Sequence, residues 1–260
     1  MKFLVVEATG DLGSAIVHAA LTAGHDVSVL VSIDSPTRRK WPGTEGVSPK
    51  FVSASGGLGD QVGTVLAGET FDAVAVAVGA QPQAPAQAAD AVRATINAVA
   101  AAEPSPVLLM TGGAPALILR PGNSCVDKCF GGAAWAKELR DFHLRVTFAA
   151  LQALTIPTWT MVCPGTMIHK AEGARSFHRT QPEIIDESVA GASLLYSAVA
   201  QAYVDVGMEL VKKGAKSKYN KVGDSASLEV PLTAGRVVDV PAPSTRRPRR
   251  LGSRSKAGGG

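Results

Sequence analysis

The sequence predicts an α/β fold, a Rossmann-like doubly wound parallel sheet with a small C-terminal substrate region. Short apolar runs alternate with stretches of helical periodicity, the pattern of βαβ units. The first run, Lys2-Phe3-Leu4-Val5-Val6, passes directly into a glycine-containing turn and then a helix. A later run, Ala73-Val74-Ala75-Val76-Ala77-Val78, is small or apolar at every position, as a strand covered by helices on both faces must be.

In chain order, residues 2–6 form the first strand and 13–21 the first helix. Residues 26–31 follow the Gly24-His25 turn as the second strand. Residues 35–43, with two prolines and three consecutive basic residues, read as a loop. Residues 50–54 make a weaker third strand, and 60–67 a short helix that ends at Gly68. The fourth strand spans 71–78 and stops at Gly79. An Ala-rich helix covers 86–102, the fifth strand 107–110, a long helix 133–154, and the sixth strand 158–162 before Pro164-Gly165. Beyond it a strand is expected near 183–185 and a helix over 194–213. Residues 165–225 thus form the substrate side of a domain spanning 1–225, and 226–260 a linker and disordered basic tail.

Composition narrows the function classes. At 46% hydrophobic and 18% charged, the chain is globular in character, and no apolar run is long enough to cross a bilayer. The first strand begins at residue 2, which leaves no room for a leader, so a cytoplasmic protein without membrane attachment is expected. Six of the 26 basic residues lie in 241–260 beside no acid. The rest of the chain holds 20 bases against 22 acids, so nucleic acid is not expected as a partner except through that tail. Cys125, Cys129 and Cys163 are expected as reduced thiols, and no ligand set for a metal is evident. A small-molecule substrate is the expected partner, and the sequence carries no signal of oligomeric state.

The chemistry concentrates at Glu7-Ala8-Thr9-Gly10-Asp11-Leu12-Gly13. A glycine-rich turn between a first strand and a first helix offers free backbone N–H groups and the positive end of a helix dipole to a pyrophosphate. Gly10 permits close backbone approach and Gly13 tight helix–strand packing. Glu7 occupies the first glycine position, where it adds crowding and negative charge, so Glu7→Gly is expected to tighten dinucleotide binding. After the second strand, Asp34 could accept from a ribose hydroxyl, whereas Arg38, Arg39 and Lys40 could hold a 2′-phosphate. Solvated loop charges are an equally common reading of those four residues. Gly79 and Ala80, at the end of the fourth strand, are small enough to line the ligand crevice.

These stretches resemble the NmrA-like, atypical short-chain dehydrogenase/reductases of the NAD(P)H-binding type, and more distantly biliverdin-IX-beta (flavin) reductase. The resemblance covers roughly residues 1–225. Ala8-Thr9-Gly10-Asp11-Leu12-Gly13 is similar to the family's G-A-T-G-x-x-G, and Ala23-Gly24-His25-Asp26-Val27-Ser28-Val29-Leu30-Val31 to its G-H-x-V-x-x-L-V-R, with Ser32 where an NADP-reading arginine often stands. Gly112-Gly113-Ala114-Pro115-Ala116-Leu117 is similar to G-G-A-G-S-L, and Trp159-Thr160-Met161-Val162-Cys163-Pro164-Gly165 to W-T-I-V-R-P-G. Residues 173–179 and 196–205 resemble two later motifs, the second with Ala198 in place of an aspartate. The resemblance implies cofactor contacts from residues 8–13, Ser32, Asp34, Arg38, Gly79, Ala80, Thr111 and Gly112. NADP is the expected cofactor, with NAD left open.

Reduction also needs a proton donor beside the substrate carbonyl. The family's relatives place a tyrosine and a lysine four residues apart on the long helix; Asp141 and Arg145 stand at about those positions here. Thr111 could replace the hydroxyl donor, and His143, the imidazole of that helix, could act as an acid because its ordinary pKa is near neutrality. Lys170 and Arg175 could hold an acidic substrate, although solvated loop charges are commoner, and Trp135 and Trp159 are expected to pack in the core or a lid. The expected function is an NAD(P)H-binding protein that reduces a small carbonyl or quinone-like substrate. The alternatives are a non-catalytic dinucleotide sensor or scaffold, and a degenerate relative that binds no cofactor.

Overall fold

The computed structural model describes residues 1–31, 50–52, 56–78, 85–113, 118–120, 123–124, 127, 131–154, 158–163, 166–168, 193–214 and 237–238. Its centre is a parallel sheet built from β1 (Lys2–Val6), β2 (Asp26–Leu30), β3 (Lys50–Val52), β4 (Ala73–Val76), β5 (Val107–Thr111), β8 (Trp159–Val162) and β11 (Val237–Val238), in the order β11-β8-β5-β4-β1-β2-β3. Two small pairs lie outside it: β6 (Ile118–Arg120) against β7 (Asn123–Ser124), antiparallel, and β9 (Thr166–Ile168) beside β10 (Ser193–Leu195), parallel.

Alternation within each strand divides the core into two faces. Phe3, Val5, Ala73, Ala75, Val107 and Leu109 pack on one side, against α1 (Asp11–Thr22) and the C-terminal helix, α6 (Tyr196–Lys213). Leu4, Val6, Val74, Val76, Leu108 and Met110 pack on the other. That second face carries α2 (Leu58–Gly68), α3 (Pro85–Ala101), α4 (Ala134–Phe142), a π-helical segment (His143–Phe148) and α5 (Ala149–Gln152). On the first face the alanines of β4 leave room for α6 to come close. Gly207 sits so near the sheet that a Cβ there would stand 3.1 Å from Leu109 and 3.3 Å from Phe3.

The predicted doubly wound sheet is present, with modest shifts of boundary. Helix α1 starts at Asp11 rather than residue 13, because Gly10 already takes the extended N-cap conformation. The long helix expected over 133–154 is broken in type, with a π-helical turn from His143 to Phe148. Ser193–Leu195 is a strand before α6 rather than the beginning of that helix. Val237–Val238, inside the stretch read as linker, pairs with Met161–Val162 at the sheet edge. The strand expected near 183–185 and the basic tail at 241–260 lie outside the described residues.

Candidate functional site

In an open α/β sheet the order of strands marks the crevice where a ligand would lie. From β1 the chain builds outward through β2 and β3, then returns across the sheet to place β4 on the other side of β1. The two crossovers diverge at that point and leave a crevice beyond the carboxyl ends of β1 and β4. Those ends are in register: the Ala77 N–H donates to the Val6 carbonyl at 3.1 Å. Residues 7–13 form one wall of the crevice.

Glu7 turns the chain out of β1 with φ 61°, the only non-glycine residue at positive φ among the described residues. Its N–H donates to the Leu30 carbonyl at 3.0 Å, and its own carbonyl accepts the Gly10 N–H at 3.3 Å. The usual glycine of this position therefore supplies a left-handed backbone as well as space. Gly13 lies so close under this turn that a Cβ would overlap the Glu7 carbonyl oxygen and Ala8 Cα, and this contact seats α1 against β1. Gly10 is different. It is exposed, its φ of −66° suits any residue, and among the described residues a Cβ there would meet only the Glu7 carbonyl oxygen, at an ordinary 3.6 Å. Packing among the described residues does not require glycine at residue 10; close approach of a ligand would.

The N-cap of helix α1 is Gly10, which has no side chain to cap the first-turn N–H groups. Ala8 and Leu12 are buried and offer only backbone to a ligand, while Thr9 and Asp11 are partly exposed. The Asp11 charge reaches toward α6, where it adds to desolvation in raising the Tyr196 phenol above its ordinary pKa. The Glu7 carboxyl is raised by partial burial. An open glycine, a helix start without an N-cap side chain and a strand-end crevice fit a diphosphate; the carboxylates of Glu7 and Asp11 beside them oppose it.

At the end of β5, Thr111 points to the α6 face. Its hydroxyl donates to the Val76 carbonyl at 2.7 Å and lies 2.7 Å from the Tyr203 hydroxyl, which must supply the second proton because a carbonyl can only accept. Tyr203 is fully buried, and its phenol is pushed well above the ordinary range by desolvation. The sequence reading missed this tyrosine. Its signal is a phenol in the middle of an Ala/Val helical stripe, where a buried hydroxyl needs a partner.

Gly112 follows with its N–H on the Val162 carbonyl at 2.7 Å, and a Cβ there would overlap Cys163 Sγ. Gly113 opens toward His143, whose Nε2 lies 3.3 Å from where a Gly113 Cβ would stand. His143 is buried at 2% exposure, its Nδ1 has no hydrogen-bond partner, and burial lowers its pKa to about 4. It belongs to the helical layer on the opposite face from Tyr203, so Thr111 and His143 lie on different sides of the sheet.

Asp141 and Arg145, at the relatives' tyrosine and lysine positions, face outward; the Arg145 side chain is 81% exposed and pairs with Asp141 at 3.9 Å. Trp159 packs edge-on against Phe148, whereas Trp135 is 55% exposed and takes no part in the core. Ser32, Asp34, Arg38, Gly79, Ala80, Cys125, Cys129, Lys170 and Arg175 lie outside the described residues. Cys163 is a buried thiol outside any disulfide, and no group of three or more metal-ligating side chains occurs among the described residues. Nor is any described helix long and apolar enough to cross a membrane.

No protein-family model matches the chain, and no curated protein matches it. Solved structures do. A protein from Streptococcus pneumoniae assigned as an NADH-flavin reductase is 21% identical, with a TM-score of 0.60 over 84% of this chain and 96% of its own. An exported protein from Burkholderia pseudomallei is 23% identical, with a TM-score of 0.59 over 82% and 94%. A UDP-glucose-4-epimerase from Stenotrophomonas maltophila, solved with bound NAD and formylated UDP-arabinopyranose, is 15% identical, with a TM-score of 0.58 over 81% and 74%. These likenesses establish the Rossmann-like fold.

Proposed function

We propose that this chain binds a nicotinamide dinucleotide in the β1–β4 crevice and is an NmrA-like, atypical short-chain reductase of a small carbonyl or quinone-like substrate. The observation that carries the reading is Gly10: exposed, free of any packing need for glycine among the described residues, and set at the start of α1 beside the strand switch point. Residues 8–13 would hold the diphosphate through backbone N–H groups. Gly112 and Gly113, at the end of β5, would border the nicotinamide.

A bound nicotinamide supplies hydride chemistry. The chain's own contribution is more limited. His143 is neutral at pH 7, since its pKa lies near 4, so it offers a hydrogen bond and not an acidic proton. An unpaired buried N–H is rarer than an unpaired acceptor, which favours a lone pair on Nδ1 and the proton on Nε2, the atom nearest Gly113. Thr111 has already given its proton to Val76, so it supports Tyr203 and the strand end. A substrate whose reduced form takes its proton from water, as a quinone or flavin does, suits this set best.

The sensor reading is favoured by the same facts: no described tyrosine–lysine pair faces the crevice, and the Thr111 proton is committed. Calorimetric titration with NADH and NADPH tests binding. A panel of quinones, flavins and aldehydes then tests turnover, followed as loss of NAD(P)H absorbance. Binding with oxidation of the bound cofactor supports the reductase. Binding with a flat panel makes the protein a sensor, and absence of binding removes both.

A further inference from the structure

Glu7 holds a left-handed conformation that strains an ordinary side chain, and such strain persists only where surrounding contacts determine it. Both its peptide groups are pinned, one on Leu30 and one on Gly10, with Gly13 packed beneath. The carboxyl is half-buried, and no hydrogen bond or ion pair to it occurs among the described residues. Partial burial disfavours the charged carboxylate, and a ligand that donates hydroxyl protons would relieve it.

The position says which hydroxyls. In open α/β sheets the acid that reads the adenosine ribose stands at the carboxyl end of the second strand. Leu30 is the last residue of β2, in register with Val6, and the Glu7 N–H is bonded to its carbonyl at 3.0 Å. Glu7 therefore occupies the same corner, approached from β1 instead of β2. The turn carries a carboxylate-bearing residue in place of its first glycine, with its backbone bonded to the end of β2.

Resting on the dinucleotide reading above, we propose that Glu7 reads the adenosine ribose, accepting from its 2′- and 3′-hydroxyls and excluding the 2′-phosphorylated form, so that the chain prefers NAD(H) to NADP(H). A free diol offers two donors to a carboxylate that has none. A 2′-phosphate offers only acceptors and adds up to two negative charges beside it.

The test is calorimetry of the full chain with NADH and with NADPH, on the wild type, Glu7→Gln and Glu7→Gly. Gln keeps the length and loses the charge, while Gly also relieves the backbone and so guards against a variant that fails to fold. In the wild type NADH should bind at least about tenfold more tightly than NADPH. Both variants should bring the two affinities within about threefold of each other, mainly by tightening NADPH. Equal or tighter NADPH binding by the wild type would overturn the proposal, as would a preference that both variants retain. If the wild type binds neither dinucleotide, the underlying reading fails first, which is a different result from loss of preference.

Discussion

At the scale of single residues, the imidazole of His143 has the most direct physical consequence. Burial with an unpartnered Nδ1 disfavours the cation, so its folded-state pKa falls to about 4, from about 6.5 when exposed. A group whose pKa is depressed on folding contributes stability above its unfolded pKa and loses it as pH falls toward the folded value. Thermal melts of the wild type should therefore decline as pH is lowered from 6.5 to 4, and His143→Phe should lose that part of the decline. An identical slope in the variant would place the imidazole in water. The sequence singled out His143 by its chemistry, yet its neutrality arises from neighbours that local spacing does not reveal. The reverse holds for Glu7: the sequence showed a missing glycine, while the positive φ that makes the substitution costly appears only in the folded turn.

At the scale of elements, α6 and β5 are joined by one polar link through an otherwise apolar layer. Tyr203 donates to Thr111, and Thr111 donates to Val76 at the end of β4, so three elements meet at two hydrogen bonds. Tyr203→Phe removes the outer bond and leaves the Thr111 oxygen short of one donor, at a cost of about 1 kcal/mol. Its denaturation midpoint should drop while the m-value stays constant. An unchanged midpoint would mean that the phenol contributes packing alone. Strands β1, β4 and β5 were legible because alternation and burial on both faces leave few other readings of Phe3-Leu4-Val5-Val6 or Ala73-Val74-Ala75-Val76. The π-helical turn at His143–Phe148 was not, since its apolar spacing fits an ordinary helix. Nor were the three-residue strands β9 and β10, which are set by pairing between residues 27 apart in the chain and not by local periodicity.

At the scale of the whole molecule, strand order makes a site out of separate motifs. The βαβ rhythm in the sequence implied a parallel sheet, but the placement of β4 beside β1, and the crevice this creates, depend on a crossover that no single motif specifies. Once that order is in place, Gly13 and Gly10 separate into different duties, one packing the helix and one left open at its start. Gly10→Ala separates the same duties in solution. Alanine accepts φ −66° and meets nothing among the described residues closer than 3.6 Å, so the fold should keep its melting temperature within about 3 °C, while the added methyl blocks the diphosphate. The account predicts that calorimetry detects dinucleotide binding by the wild type and at least about tenfold weaker binding by Gly10→Ala. Equal affinity in the two proteins, or no binding by the wild type, would contradict it.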